Sequence, residues 1–308
     1  MKKVLFATTA LVFSAGFAAA EVSISGNAVF GLGYSEDGLA NGLSSELDPL
    51  KVDDMYTVYE TYLTISGTTE SDNGLSFGFE TTIAAYNTDG GLEDDGSSVF
   101  VSGAFGKLSF GSVAEADEVA TFSDIGGLAG LGVDNVAEAL TGDSVEGLGA
   151  GEDNASHNVN YTYSAGAFTG SVSGRIGDED DSYALGLKYN FGNAYVGLGY
   201  ADHDLKTVAF AGNVTTLYAG GTFGAANVKA MYSMGGDGLD GVDAWGLYAD
   251  YTMGATTLNF EYADSDTVTD AAYGIGASYD LGGGAALVGG IASVDNNTRA
   301  EMGMSFDF

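Results

Sequence analysis

Residues 75–83 read Leu-Ser-Phe-Gly-Phe-Glu-Thr-Thr-Ile, and this stretch decides the fold. Every second position from Leu75 to Phe79, and again Ile83, is apolar, while small or polar residues fill the positions between them. Alternate residues of a strand lie on one face, so this period of two predicts a β-strand with one apolar and one polar face. The same alternation returns at residues 168–176, 183–191 and 245–253. The sequence therefore predicts an all-β protein.

Two kinds of connection separate the predicted strands. Short turns centred on glycines such as Gly106, Gly192 and Gly254 alternate with longer acidic links such as residues 35–54 and 202–213. Outer-membrane barrels show this arrangement, with short turns on the periplasmic side and long loops outside. Strands are predicted at residues 21–34, 55–67, 74–87, 98–105, 107–113, 157–164, 167–177, 182–191, 194–202, 214–223, 226–234, 243–253, 255–263, 271–281, 285–294 and 298–308. The prediction is a transmembrane antiparallel β-barrel of sixteen strands, and a soluble β-sandwich with aromatic core faces is the alternative.

The two faces of these strands are expected to have different neighbours. Lipid cannot hydrogen-bond backbone groups, so strands that span a bilayer close into a barrel. The apolar face then contacts lipid and the polar face lines the lumen. The polar faces hold the basic residues of these strands: Arg175, Lys188, Lys229 and Arg299. This is expected, because a basic residue on the lipid face at mid-bilayer costs about 2–4 kcal/mol. A barrel of sixteen strands is wide enough to hold a water-filled channel.

The composition excludes several classes of protein. The 308 residues carry a formal net charge of −34, which leaves no basic surface for nucleic acid. The absence of cysteine excludes disulfide scaffolds, thiol catalysis and cysteine-based metal sites. Neither a Gly-x-Ser-x-Gly motif nor a phosphate-binding loop is present, and the two histidines, His157 and His203, are interpreted as solvated polar residues. The sequence therefore predicts no enzyme activity.

Both ends of the chain carry features of exported proteins. A basic start and an apolar run precede small residues that end at Ala20, so residues 1–20 are predicted to be a signal peptide cleaved near Ala20. Residues 21–308 then form a single barrel domain in the bacterial outer membrane, in contact with its lipid. Phe306 and Phe308 end the last strand on one apolar stripe. This stripe resembles the signal that outer-membrane barrels present to their assembly machinery.

One insertion, residues 114–156, interrupts the regular succession of hairpins. It contains ten acidic residues, several glycines and neither lysine nor arginine. Loops of this length are usually functional, and a barrel that holds water has room for one. We therefore predict that the insertion folds inward and narrows the lumen, with an external acidic loop as the alternative. The acids expected at the constriction are Glu115, Asp117, Glu118, Asp124, Asp134 and Glu138.

Four stretches carry a resemblance to a known family: residues 99–107, 161–168, 223–230 and 273–284. The sequence resembles the general diffusion porins of alphaproteobacterial outer membranes, of the Rhodobacter type, over nearly the whole chain after residue 20. The resemblance implies a homotrimer of sixteen-stranded barrels that passes small hydrophilic solutes. It also implies that the third external loop, which matches residues 114–156 by its order after the fifth strand, enters the barrel and faces basic residues on the opposite wall.

This sequence departs from the family pattern on that wall. The second and third strands carry Glu60 and Glu80 on their polar faces and no arginine, and Arg175 and Lys188 are the nearest basic candidates for the lumen. Negative charges in a confined pore raise the local cation concentration, so the excess of acids predicts a channel that prefers cations. A barrel with a plugged lumen that serves as a surface anchor is the alternative.

The acidic loops also supply oxygen ligands of the kind that Ca²⁺ prefers. Asp94 with Asp95, and Glu152 with Asp153, are the candidate Ca²⁺ sites, although the EF-hand spacing is absent. No other cofactor is expected.

Overall fold

The computed structural model describes residues 21–36, 54–85, 93–141, 157–177, 181–204 and 212–308, and within them sixteen strands form one closed barrel. The strands are β1 (Glu21–Ser35), β2 (Met55–Glu70), β3 (Ser76–Ala85), β4 (Glu93–Gly103), β5 (Gly106–Val113), β6 (His157–Ala165), β7 (Phe168–Gly174), β8 (Asp181–Phe191), β9 (Ala194–Asp204), β10 (Gly212–Phe223), β11 (Ala226–Gly235), β12 (Asp243–Met253), β13 (Thr256–Ser265), β14 (Ala272–Gly282), β15 (Ala285–Val294) and β16 (Asn297–Asp307). Each strand pairs antiparallel with its neighbours in the chain, and β1 pairs with β16. The predicted fold class is confirmed. The sandwich alternative is wrong, because the sheet closes on itself.

Most strands begin and end within a few residues of the predicted bounds, and β12 and β15 match at both ends. The largest difference is at β4, which begins at Glu93 instead of residue 98. The pairing of β3 with β4 shifts register between Thr81 and Ile83, as at a β-bulge. A bulge inserts a residue and breaks the alternation of faces, so the first residues of β4 do not show the period of two.

The outer and inner faces of the barrel differ as the alternation predicts. On β12, Leu247, Tyr251 and Met253 are about half exposed on the outer surface, while Tyr248 between them is 7% exposed and faces inward. Small polar side chains bond across strands on the inner face: the hydroxyl oxygens of Thr216 and Ser233 lie 2.9 Å apart. Because the large apolar side chains point away from the axis, the strands leave a polar interior.

The short turns use backbone conformations that glycine adopts without strain. Gly192 and Gly254 have φ angles of +68° and +65°, and each lies in a turn between two paired strands. Residues with a Cβ atom rarely adopt this left-handed conformation. These glycines therefore fix where each hairpin reverses.

The chain terminus completes the barrel seam. The Phe308 amide donates a hydrogen bond to the Gly26 carbonyl oxygen at 2.9 Å, and the Gly26 amide donates to the Phe308 carbonyl oxygen at 3.0 Å. The rings of Phe306 and Phe308 lie 6.1 Å apart, and both are exposed. The last apolar stripe is thus on the outer surface, next to the closing pair of strands.

One helix occurs among the described residues, α1 (Val133–Ala137). It contacts β12, β13, β14 and β15, so part of the insertion between β5 and β6 packs against the far side of the barrel. No helix in the described part of the chain is long and apolar enough to cross a membrane.

Candidate pore constriction

The described part of the insertion, residues 114–141, enters the barrel directly after β5. It first bonds to the wall on β7, where the Ala116 amide donates a hydrogen bond to Ser173 Oγ at 2.8 Å. Gly186 on β8 makes room for this approach, because a Cβ atom there would lie 1.7 Å from the Ala116 carbonyl oxygen. The path of the loop root therefore depends on a wall position without a side chain.

Two lysines of the wall hold the next segment, residues 119–123. Lys188 Nζ on β8 donates a hydrogen bond to the Val119 carbonyl oxygen at 3.3 Å. Lys229 Nζ on β11 donates to the Thr121 carbonyl oxygen at 2.8 Å. These wall cations therefore bond to the loop backbone instead of facing the loop across open water.

β16 holds the middle of the loop. The Leu128 amide donates a hydrogen bond to Glu301 Oε1 at 2.8 Å, and Arg299 Nη1 donates to the Leu131 carbonyl oxygen at 3.2 Å. Successive loop residues thus bond to β7, β8, β11 and β16. The loop therefore follows the inner wall from β7 to β16. The chain then turns back, and α1 packs on β12 to β15.

Apolar packing adds to these polar contacts. Ile125, Leu131 and Val133 of the loop are fully buried in one cluster that includes Ala263 of β13 and Ala272 of β14. Full burial of an aliphatic side chain of this size contributes about 1.5–3 kcal/mol. The prediction that the insertion folds inward is confirmed for its described part, and the external loop is wrong there.

The six predicted constriction acids lie in different environments. Four of them are buried between the loop and the wall: Glu115, Asp117, Asp134 and Glu138. Glu118 is half-buried, and Asp124 is exposed within the lumen. Glu138 Oε1 accepts a hydrogen bond from the Phe122 amide at 2.6 Å, so this side chain stabilises the shape of the loop. Of the six predicted acids, Asp124 is therefore the one that is most exposed to lumen water.

The predicted wall residues also divide into two groups. Glu60 on β2 is half-buried and accepts a hydrogen bond from the Tyr62 hydroxyl at 3.0 Å, and Glu80 on β3 is exposed. Arg175 directly follows β7 and is half-buried, while Lys188 bonds to the loop. The lumenal faces of β2 and β3 therefore present carboxylates. Both basic candidates, Arg175 and Lys188, lie on the side of the barrel that the loop covers.

Both histidines are buried at the loop root, so their interpretation as solvated residues is wrong. Their Nε2 atoms each lie 3.7 Å from one carboxyl oxygen of Glu115, and all three side chains are almost inaccessible to solvent. His157 also bonds through Nδ1 to Ser173 Oγ at 2.6 Å. Alternation places His203 on the inward face of β9, with Ala201. It would place His157 on the outer face of β6 with Tyr163, and the register shift between β5 and β6 next to His157 interrupts the period there. The contact itself depends on the inserted loop, which covers both rings.

Asp124 has an unusual electrostatic environment for a residue in contact with lumen water. The surrounding loop and wall remove much of the bulk solvent, and the neighbouring Asp134 carboxyl lies close to it. Desolvation, followed by the charge of Asp134 and a hydrogen bond with it, raises the pKa of Asp124 well above the ordinary value for aspartate. The charge that Asp124 presents to the lumen therefore depends on pH.

The candidate Ca²⁺ ligands do not form a metal centre among the described residues. Asp94 Oδ1 accepts hydrogen bonds from the Gly96 amide at 3.1 Å and from Ser97 Oγ at 3.4 Å. Glu152 and Asp153 lie outside the described residues. In the ranges that the structure describes, no group of three or more His, Asp or Glu side chains is arranged to hold a metal ion. Ca²⁺ binding stays a prediction.

Comparison with known proteins gives the family of the chain. The family model described as Gram-negative porin matches residues 7–299. The chain belongs to this family. A porin of Rhodobacter capsulatus is 38% identical over 325 residues, which cover 94% of this chain and 100% of the relative. A porin of Fuscovulum blasticum is 28% identical, with the same coverage of both chains.

Solved structures show the same fold. A variant of Rh. blastica porin superimposes with a TM-score of 0.72 at 23% identity, covering 93% of this chain and 100% of that chain. Together with family membership, the closed barrel identifies an outer-membrane porin that forms a channel. The resemblance noted in the sequence is thus confirmed at the level of the family, and the relatives are channels rather than enzymes.

Proposed function

We propose that this porin passes ions and small hydrophilic solutes by passive diffusion and that it prefers cations. The observation that supports this preference most directly is the distribution of charge around the lumen. Glu60 and Glu80 lie on the lumenal faces of β2 and β3, whereas Lys188 and Lys229 donate hydrogen bonds to carbonyl oxygens of the loop. Carboxylates in a confined aqueous passage raise the local cation concentration.

Conductance across a planar bilayer tests the channel and its preference together. We expect single-channel steps on the order of a nanosiemens in concentrated KCl, as for a water-filled pore of sixteen strands. In a KCl gradient the reversal potential should move toward the K⁺ equilibrium potential, and the shift should decrease as salt rises because salt screens the charges. A shift toward the Cl⁻ potential contradicts the preference, and a silent bilayer favours the plugged anchor instead.

The preference should increase with pH. Because the pKa of Asp124 is raised, this carboxyl is still partly protonated where ordinary aspartates are fully ionised, and raising the pH adds negative charge to the lumen. We expect the K⁺ over Cl⁻ permeability ratio to rise from mildly acidic to alkaline pH in the native protein. The Asp124→Asn variant should show a weaker rise. An equal pH dependence in both proteins counts against this role of Asp124.

Export and assembly belong to the same proposal. Residues 1–20, which lie outside the described residues, are proposed to be a signal peptide removed near Ala20, and the exposed stripe of Phe306 and Phe308 is proposed to bind the barrel assembly machinery. The family resemblance supports a homotrimer in outer-membrane lipid. Binding of Ca²⁺ near Asp94 and Asp95 is also proposed, and calorimetry that shows no heat beyond ionic screening contradicts it.

A further inference from the structure

Lys188 and Lys229 occupy equivalent surroundings at two points of the lumen wall. Lys229 Nζ lies 5.1 Å from the ring centroid of Tyr248 on the adjacent strand β12, and Lys188 Nζ lies 4.2 Å from the ring centroid of Tyr195 on the adjacent strand β9. Cations at this distance from an aromatic ring are attracted to it. Each ammonium group thus lies near an aromatic ring of the wall and also bonds to a loop carbonyl oxygen.

The loop segment that these lysines contact has no regular secondary structure. Residues 119–123 are neither strand nor helix, and the side chains of Thr121 and Ser123 are exposed within the lumen. Lys229 donates to the Thr121 carbonyl oxygen at 2.8 Å and to Ser123 Oγ at 3.3 Å. Backbone carbonyl groups outside regular structure need another donor. The ammonium groups supply it from the wall.

We propose that Lys229, assisted by Lys188, is a positioning residue that sets the width of the pore by holding residues 119–123 against the barrel wall. Hydrogen bonds from charged donors are stronger than those between neutral groups. Without them the segment is free to move away from the wall, and the only direction open to it is the lumen. The inference rests on the proposed diffusion channel, but it does not depend on which ion that channel prefers.

The chain offers a matched control for the loss of a lumenal cation. Lys107 on β5 also faces the lumen by register and lies 4.4 Å from the ring centroid of Phe100. In the part of the chain that the structure describes, no hydrogen bond joins Lys107 to the inserted loop. Lys107→Met therefore removes the same charge as Lys229→Met without releasing the loop.

The first measurement follows the loop directly. The chain has no cysteine, so Thr121→Cys provides a single site for a spin label, and its backbone carbonyl remains available to Lys229. We expect Lys229→Met to raise the mobile fraction of the label by roughly tenfold, the change that corresponds to losing one charged hydrogen bond. Lys229→Arg, which keeps the donor, and Lys107→Met should leave the label immobile. Lys188→Met should give a smaller increase, since its bond is longer.

The second measurement is single-channel conductance of the same variants without the label. Lys229→Met should lower the mean conductance and raise the frequency of brief closures, while Lys229→Arg and Lys107→Met behave like the native protein in closure frequency. An immobile label in folded Lys229→Met, or equal closure frequencies in Lys229→Met and Lys107→Met, overturns the positioning role. A native protein that gives no channel steps contradicts the proposed function, and the label mobility then still decides the inference about the loop.

Discussion

Replacing Gly186 with alanine is expected to force the root of the inserted loop off the barrel wall. The new Cβ atom would lie 1.7 Å from the carbonyl oxygen and 2.9 Å from the carbonyl carbon of Ala116. Both are backbone atoms, so no side-chain rotation relieves the overlap. Overpacking of this kind costs about 1–3 kcal/mol. We expect a lower thermal unfolding temperature in detergent and a channel whose conductance fluctuates more than that of the native protein.

Gly170→Ala is the control for this substitution. Gly170 lies on β7, and its nearest neighbours for an added Cβ atom are side-chain carbons of Phe168 at 3.5 Å and Leu187 at 3.6 Å, which are ordinary contact distances. The same exchange should therefore leave unfolding temperature and conductance nearly unchanged. If Gly186→Ala and Gly170→Ala have the same effect, the docking of Ala116 against Gly186 is not what holds the loop root.

Neutralising the two carboxylates of β2 and β3 is expected to produce the largest change in ion preference. A unit charge acting through water at about 4–8 Å from a passing ion contributes about 0.5–1 kcal/mol. Each of Glu60→Gln and Glu80→Gln should therefore lower the K⁺ over Cl⁻ permeability ratio by roughly two- to fivefold, and the double variant by more. The reversal potential in a KCl gradient measures this ratio directly.

Asp72→Asn serves as the control for these variants. Asp72 is exposed in the turn between β2 and β3, so this substitution removes the same charge outside the barrel wall. Its reversal potential should stay close to the native value, because salt screens an exposed charge at the channel mouth more effectively than one in the lumen. A double variant of Glu60 and Glu80 that retains the native ratio shows that the preference originates elsewhere, and the proposal for these two residues then fails.

Alternation in the sequence, together with the succession of short turns and long loops, was sufficient to predict the barrel and most strand bounds. Stretches such as residues 75–83 and 245–253 have a strict period of two, and the side-chain direction in a strand follows from its backbone geometry alone. The glycine turns confirm the predicted hairpins, since Gly192 and Gly254 adopt the positive φ angles that reverse the chain. The start of β4 was missed because a register shift interrupts the period there.

The surroundings of the inserted loop could not be predicted in the same way. The charge of the loop indicated a constriction lined by acids, but four of the six predicted carboxyl groups are buried against the wall. The two histidines, widely separated in the sequence, meet at Glu115 for the same reason. These contacts join the loop to strands that follow it by up to about 170 positions, as in the bond between Leu128 and Glu301, and no local period records them.

Wherever the period of two is regular, the sequence by itself determined which side of a strand meets lipid and which meets the lumen, because side chains two positions apart lie on the same face. Only the tertiary structure decided which lumenal charges face water and which hold the loop. Lys188 and Glu60 both lie on inward positions, yet one bonds to the Val119 carbonyl oxygen while the other lies on β2 beside Tyr62. The difference follows from the path of the loop around the inner wall, which is fixed by packing between residues far apart in the chain.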